Sequence, residues 1–138
     1  MTFALGSRSR KRLEDVHPDL VGVVELAIQI SSIDFTVIEG LRTAEQQRKN
    51  IAKGVSWTMN SRHLTGHAVD LAPWVNGDID WNDVMQFRAL GHAVCRAAQI
   101  KKIPVIWGAQ KHHGGDWRRT NDMPHFELSS ATYPKGSA

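Results

Sequence analysis

The chain has 138 residues, 41% of them hydrophobic, which is enough for one domain, and its single cysteine, Cys95, excludes an internal disulfide and a zinc finger. No apolar run approaches the roughly 18 to 20 residues of a membrane span, and the first five residues are too short for the apolar core of a signal peptide, so we expect a soluble cytoplasmic product without a membrane anchor. The net charge is +3, and residues 8–12 contain a basic cluster. A solvated helix face explains this cluster better than an anionic partner does, so we do not expect nucleic acid as a substrate.

Helix signals dominate the first half of the chain. Residues 9–14 predict a short helix, and a second helix begins at His17, with Pro18 accepted in its first turn. Thr43 and Gln46 have the spacing of a capping box that opens a third helix. The apolar stripe of the second helix consists of Leu20, Val23, Val24, Ala27 and Ile28.

Strand signals are spread between and after these helices. Apolar or alternating runs predict strands at residues 35–38, 67–71, 103–107 and 125–128. Asn76-Gly77 is a strong turn signal before a helix from about 83 to 100, and the polar stretch 108–122 predicts a loop. Because helices come first and the strands follow with short reversals, the pattern favours an α+β fold over a doubly wound one. We expect a single domain over residues 1–138, with its core at about 6–128 and a short C-terminal tail.

Two histidines and one aspartate have the pattern of a metal site. His63 and Asp70 lie seven residues apart across a glycine, Asp70 falls on a predicted strand, and His125 begins the last strand. Two imidazoles and one carboxylate make a three-ligand site, which leaves a tetrahedral zinc ion one open position for water. Asp122 stands three residues before His125, near enough in sequence to reach that water. A lone histidine or aspartate is more often structural, so the prediction depends on the combination.

The same residues resemble those of the VanY-like D-Ala-D-Ala carboxypeptidase and phage L-alanyl-D-glutamate endopeptidase family. The matching motifs are Ser-x-His-x-x-Gly-x-Ala-x-Asp at residues 61–70 and Asp-x-x-His-x-Glu at residues 122–127. Further family elements are Gly40-Leu41-Arg42-Thr43, Gln46, Ala72-Pro73, Trp107-Gly108 and Gly115-Asp116-Trp117. The resemblance implies a Hedgehog/DD-peptidase-like fold, with flanking helices and a mixed, mainly antiparallel sheet.

The resemblance also implies a role for each residue of the site. One Zn²⁺ ion would be bound by His63, Asp70 and His125. Asp122 would be the general base, which takes a proton from water and passes it to the leaving amine. Arg42 would stabilise the oxyanion of the substrate carbonyl, a role that suits a fixed guanidinium. A surface salt bridge is the alternative interpretation of Arg42.

Four more residues are predicted to contact the substrate or to support a metal ligand: Ser61, Gln46, Glu127 and Trp107. Ser61 could equally be a hydroxyl that caps a loop. Glu127 could equally be an ordinary surface glutamate. His67 lies inside the first motif but is not a ligand position in the family, so we expect it on a pocket wall or exposed to solvent.

The predicted function is hydrolysis of peptidoglycan stem peptides at the L-alanyl-D-glutamate bond by a zinc peptidase of a phage or prophage. The aspartate at Asp122 favours this bond, since carboxypeptidases of the family more often have a glutamate there. Residues 109–114 are an insertion near the presumed cleft, relative to many family members. A D-Ala-D-Ala carboxypeptidase, an inactive wall-binding domain and a zinc-stabilised regulatory domain are the alternatives. We expect a monomer made in the host cytoplasm without a signal peptide, which a holin releases to act in the periplasm or cell wall.

Overall fold

The computed structural model of the chain describes residues 2–53, 62–110 and 123–134. The helices are α1 (Ser7–Arg12), α2 (Pro18–Ile30), α3 (Ala44–Ala52) and α4 (Val84–Lys101). The strands are β1 (Phe35–Glu39), β2 (Ala68–Pro73), β3 (Val105–Trp107) and β4 (His125–Leu128). Short 3-10 helices lie at Arg62–Thr65 and Gly108–Gln110.

Two of the predicted elements begin two residues away from the predicted position. The first helix begins two residues earlier than predicted, at Ser7. The third strand begins only at Val105, because the backbone N–H of Ile103 still bonds to the carbonyl of Ala98 at the end of α4 and Pro104 has no N–H to donate. None of the helices in the described part of the chain is long and apolar enough to cross a membrane.

Both of the other predicted helix starts in the first half are confirmed. The Nδ1 atom of His17 accepts a hydrogen bond from the backbone N–H of Asp19, with Pro18 in the first turn of α2. At α3 the Thr43 hydroxyl accepts from the backbone N–H of Gln46, and the Gln46 amide oxygen accepts from the backbone N–H of Thr43, which completes the capping box. The predicted apolar stripe of α2 is buried at Leu20, Val23, Val24, Ala27 and Ile28.

The predicted turn between β2 and α4 is also confirmed. Asn76 and Gly77 both have positive φ angles, 53° and 77°, as a tight two-residue reversal requires. Val75 and Asp78 on either side exchange backbone hydrogen bonds of 2.9 and 3.1 Å. The segment then runs into α4, where the carboxylate of Asp83 caps the first turn.

The described strands form one sheet in the order β1-β2-β4-β3, and each neighbouring pair is antiparallel, so the predicted α+β fold is confirmed. Between β2 and β4, Val69 lies opposite Phe126 and Asp70 lies opposite His125. Directly opposed residues point to the same face of a sheet. Val69 and Phe126 are fully buried in the hydrophobic core that α2 and α4 share. Asp70 and His125 therefore lie on the other face.

Candidate metal centre

The three predicted metal ligands come together on this second face of the sheet. His63 lies in the first 3-10 helix, Asp70 in the middle of β2, and His125 at the start of β4. One ligand atom from each of the three lies within 4.8 Å of the others. The Nε2 atom of His63 and the Nδ1 atom of His125 are both 3.2 Å from Oδ1 of Asp70. Two imidazole nitrogens and a carboxylate oxygen at this spacing could hold a divalent metal ion.

Each histidine is oriented by a hydrogen bond from its other ring nitrogen. Nδ1 of His63 lies 2.9 Å from the carbonyl oxygen of Gly40, which can only accept, so this nitrogen donates and Nε2 is the atom left to bind a metal ion. Nε2 of His125 lies 2.8 Å from a carboxylate oxygen of Glu127, so Nδ1 is the atom left to bind the metal. Metal-binding histidines are held in this way, because the second hydrogen bond fixes both the tautomer and the ring plane.

Glu127 is buried, with 5% of its surface exposed, so its interpretation as a plain surface glutamate is wrong. It lies two residues after His125 on the same strand and therefore shares its face of the sheet. Gly40 is held at its position by close packing, because a side chain there would collide with the carbonyl oxygen of Arg12. The two acceptors that orient the histidines are therefore fixed by the fold.

The carboxyl group of Asp70 is ionised at the centre of this cluster. Burial by itself would raise its pKa, but the hydrogen bonds and electrostatic contacts with His125 and His63 outweigh burial and hold the pKa of this carboxyl well below its usual range. A metal ion requires the ionised form of a carboxylate ligand. The electrostatic environment thus keeps Asp70 ready to bind a cation.

Arg42 is held beside the cluster by several contacts. Its backbone N–H donates to the carbonyl of His63, at 2.9 Å. Its guanidinium donates to both carboxylate oxygens of Glu39, at 2.7 and 2.8 Å, and to the amide oxygen of Gln47, at 2.5 Å. A salt bridge is therefore present, but the Arg42 side chain is only 10% exposed, so the bridge is not a loose surface pair. The bidentate contact fixes the plane of the guanidinium.

Glu39 and Gln47 were not predicted from the sequence. Glu39 reaches its position because the register of β1 against β2 shifts between Val37 and Glu39, and this bulge sets Glu39 opposite Asp70. Gln47 is fully buried. No spacing signal in the sequence identifies it, since its neighbours on α3 are mostly exposed.

Gln46 and Trp107 also have contacts within the fold that the sequence analysis did not predict. Gln46 is exposed, and its amide oxygen caps α3. Trp107 is 5% exposed, stacks on Phe126 with ring centroids 6.1 Å apart, and donates its indole N–H to the carbonyl of Met123 at 2.6 Å. Gly91 of α4 lies against the indole ring, and a side chain there would collide with it. Trp107 therefore anchors the residues that lead into β4 and His125.

Of the two interpretations of His67, the exposed one is wrong. Only 1% of its surface is exposed. Its Nδ1 atom lies 2.6 Å from the hydroxyl oxygen of Thr65, and its ring packs against His17 of the α2 N-terminus, with centroids 5.7 Å apart. His67 precedes β2 and fills the space between this strand and α2, which strand parity alone could not reveal.

Several predicted site residues lie outside the described residues. They are Ser61 and Asp122, together with positions 111–114 of the insertion and Gly115-Asp116-Trp117.

Comparison with known proteins gives consistent results. Residues 1–129 match the family model described as phage L-alanyl-D-glutamate peptidase. The chain is 39% identical over 139 residues to the L-alanyl-D-glutamate peptidase of Escherichia phage T5, covering 99% of this chain and 96% of that protein. It is 30% identical over 103 residues to the L-alanyl-D-glutamate peptidase of Listeria phage A118, covering 75% of this chain and 33% of that protein. Among solved structures, the L-Ala D-Glu endopeptidase ChiX of Serratia marcescens is similar, with a TM-score of 0.84, 40% identity and coverage of 97% of this chain and 94% of that one.

Proposed function

The chain belongs to the phage L-alanyl-D-glutamate peptidase family, and we propose that it hydrolyses the L-alanyl-D-glutamate bond in the stem peptides of bacterial peptidoglycan. The observation that carries the proposal is the convergence of His63, Asp70 and His125, whose ligand atoms lie within 4.8 Å of one another. A chain that had kept the fold but lost the catalytic metal would not need this donor set. The names of the relatives support the choice of bond.

We propose one zinc ion as the metal. Two neutral imidazoles and one carboxylate are a donor set typical of catalytic zinc, and the hydrogen bonds to Gly40 and Glu127 support the same role. When bound, zinc would supply a Lewis acid for the scissile carbonyl and would lower the pKa of a water molecule towards ~7.

Other residues of the chain would have separate roles in the reaction. Asp122 is proposed as the general base that takes a proton from water and gives it to the leaving amine, because it precedes His125 by only three residues. Arg42 is proposed to stabilise the oxyanion of the scissile carbonyl, supported by its fixed guanidinium plane. Glu39 and Gln47 would hold that plane, and Ser61 would contact the substrate backbone or support His63.

The biological role that we propose is that of a phage or prophage endolysin. The relatives with this activity in their names include proteins of two phages. In this role the protein would be a monomer made in the host cytoplasm, released through a holin, and active on the wall. Cutting the stem next to the glycan would dissolve a crosslinked mesh, whereas trimming a terminal residue would leave it intact.

Digestion of purified sacculi tests the proposal. The zinc-loaded protein should reduce the turbidity of the suspension, and mass spectrometry should find products with new D-glutamate amino ends. His125→Ala, which removes a proposed ligand, is the inactive control. His92→Ala, an exposed histidine of α4, is the matched control that should stay active. Release of free D-alanine with no loss of turbidity would instead indicate a carboxypeptidase and overturn the proposed bond.

A further inference from the structure

Strand β1 lies at one edge of the sheet that the described strands form, and α1 contacts its backbone at Val37. The hydroxyl of Ser9, a buried residue of α1, accepts a hydrogen bond from the backbone N–H of Val37 at 3.0 Å. The guanidinium of Arg12, on the same helix, donates to the carbonyl oxygen of Val37 at 2.9 Å. Both backbone polar groups of this strand residue are therefore bonded to side chains of α1.

Val37 is the last residue before the bulge in β1. Val37 lies opposite Leu71, but Glu39 lies opposite Asp70. In a regular strand, residues two apart point to the same face, so Glu39 would share the core face with the fully buried Val37. The extra residue of the bulge instead turns Glu39 to the face that carries Asp70, where its carboxylate accepts two hydrogen bonds from Arg42. The orientation of Arg42 thus depends on the bulge.

The same helix also contacts the chain on the other side of the bulge. Gly40 directly follows Glu39, and a side chain at Gly40 would collide with the backbone carbonyl of Arg12. The carbonyl of Gly40 is the group that orients His63, at 2.9 Å from Nδ1. Helix α1 therefore contacts both ends of the segment 37–40, which leads to Arg42 through Glu39 and to His63 through Gly40.

Helix α1 is itself held by the core and by its neighbours. Leu13 at its C-terminal cap and Val16 just after it are both buried, with 6% of their surface exposed. Of the basic cluster at residues 8–12, Arg10 pairs with Glu25 of α2, whereas Arg12 bonds to β1. Arg12 therefore has a structural partner that the interpretation of the cluster as a solvated helix face did not predict.

We propose that Ser9 and Arg12 are positioning residues of the peptidase: by fixing Val37, they hold the bulge in the register that brings Glu39 to Arg42. The inference rests on the proposed function, in which Arg42 stabilises the oxyanion of the scissile carbonyl. This charge develops only in the transition state, so a looser Arg42 lowers kcat and leaves KM nearly unchanged. None of the three proposed metal ligands lies on α1, yet this helix sets the rate of the reaction.

The test uses the full-length, zinc-loaded protein and a soluble stem peptide that contains the L-alanyl-D-glutamate bond. Arg12→Ala should lower kcat by about five- to ten-fold, with little change in KM and with zinc still bound. Arg12→Lys, which keeps a cationic donor, should recover part of the loss. Ser9→Ala removes the acceptor of the Val37 N–H and should also lower kcat. Lys11→Ala, at an exposed residue of the same helix, is the matched control and should keep the wild-type kcat.

A double-mutant cycle separates positioning from a general loss of stability. In the Glu39→Ala background, Arg12→Ala should lower kcat by less than about two-fold, because the carboxylate through which it acts is already missing. Val94→Ala, in the core of α4, should lower the melting temperature of the protein without this loss of kcat.

The outcomes separate this inference from the proposed function. Wild-type protein that does not cut the peptide would contradict the proposed function, on which the inference rests. Wild-type protein that cuts it, with Arg12→Ala as active as Lys11→Ala, would overturn the inference and leave the peptidase in place. Equal losses of kcat from Arg12→Ala with and without Glu39 would also overturn it, because α1 would then support the fold without acting through Glu39.

Discussion

The candidate metal centre and the loop between β2 and α4 both contain carboxylates, but they hold them in opposite ways. At the metal centre Asp70 is bonded to groups from distant parts of the chain, with His63 on a 3-10 helix and His125 on β4. In that loop, and among the described residues, Asp78 and Asp80 bond to backbone groups one or two residues away. The first arrangement is a preorganised cluster that distant parts of the fold support. The second is a loop that local hydrogen bonds hold.

The largest expected effect comes from neutralising one carboxylate in each region. Asp70→Asn should abolish hydrolysis and zinc binding, since the amide loses the negative charge that holds the cation. Asp80→Asn should leave zinc affinity unchanged and shift stability by no more than about 0.5 kcal/mol. Zinc titration and thermal unfolding of both variants check this contrast. Equal zinc affinities in the two variants would remove the distinction between the regions.

The next effect concerns the proposed base. Asp122→Asn should bind zinc as the wild type does but lose roughly 100-fold or more in kcat, because an amide cannot take the proton. The measurement is zinc content by mass spectrometry together with the rate of sacculus digestion. Activity within a few-fold of wild type would show that the base lies elsewhere, and Asp116 would be the next residue to test.

A smaller effect is expected from the residue that orients His125. Glu127→Gln should lower zinc affinity by about 10 to 100-fold, because the neutral amide holds the imidazole N–H less strongly, while saturating zinc should restore most of the activity. Glu25→Gln, which alters an exposed salt bridge with Arg10, is the matched control. Competition with a chelator of known affinity measures both variants. An unchanged affinity in Glu127→Gln would mean that the buried hydrogen bond does not support the metal.

The smallest expected effects concern two neighbouring glutamines, Gln46 and Gln47, whose roles differ. Gln47→Ala should lower kcat/KM by about ten-fold with no loss of zinc, since the Arg42 guanidinium loses one of its acceptors and its orientation loosens. Gln46→Ala should destabilise the start of α3 by about 0.5 to 1 kcal/mol and leave kcat/KM near the wild-type value. Steady-state kinetics and thermal unfolding distinguish them. A kinetic loss in Gln46→Ala alone would contradict this division and support a contact of Gln46 with the substrate.

Local signals predicted what depends on local physics. The α3 capping box and the Asn76-Gly77 turn are formed by residues within three positions of each other, so their spacing was sufficient. The register that sets Asp70 opposite His125 was not predicted; the combination of residues and the family resemblance predicted only that the two belong to one site.

What the sequence did not predict depends on contacts between distant segments. The bulge in β1 breaks strand alternation and turns Glu39 towards Arg42, which no residue spacing reveals. The burial of His67 follows from its packing against α2, fifty residues earlier in the chain at His17. The burial of Trp107 and the bond from its indole N–H to the backbone carbonyl of Met123, sixteen residues later, could likewise not be read from residue spacing.

Zinc titration of the metal-stripped protein, followed by identification of the cut bond, tests the central claim most directly. We predict that sacculi are not hydrolysed without metal and that the rate of hydrolysis rises to a plateau at one zinc ion per chain. The products should have D-glutamate amino ends at every zinc concentration. Full hydrolysis by the protein freed of metal, or recovery with no binding of zinc at His63, Asp70 and His125, would contradict it.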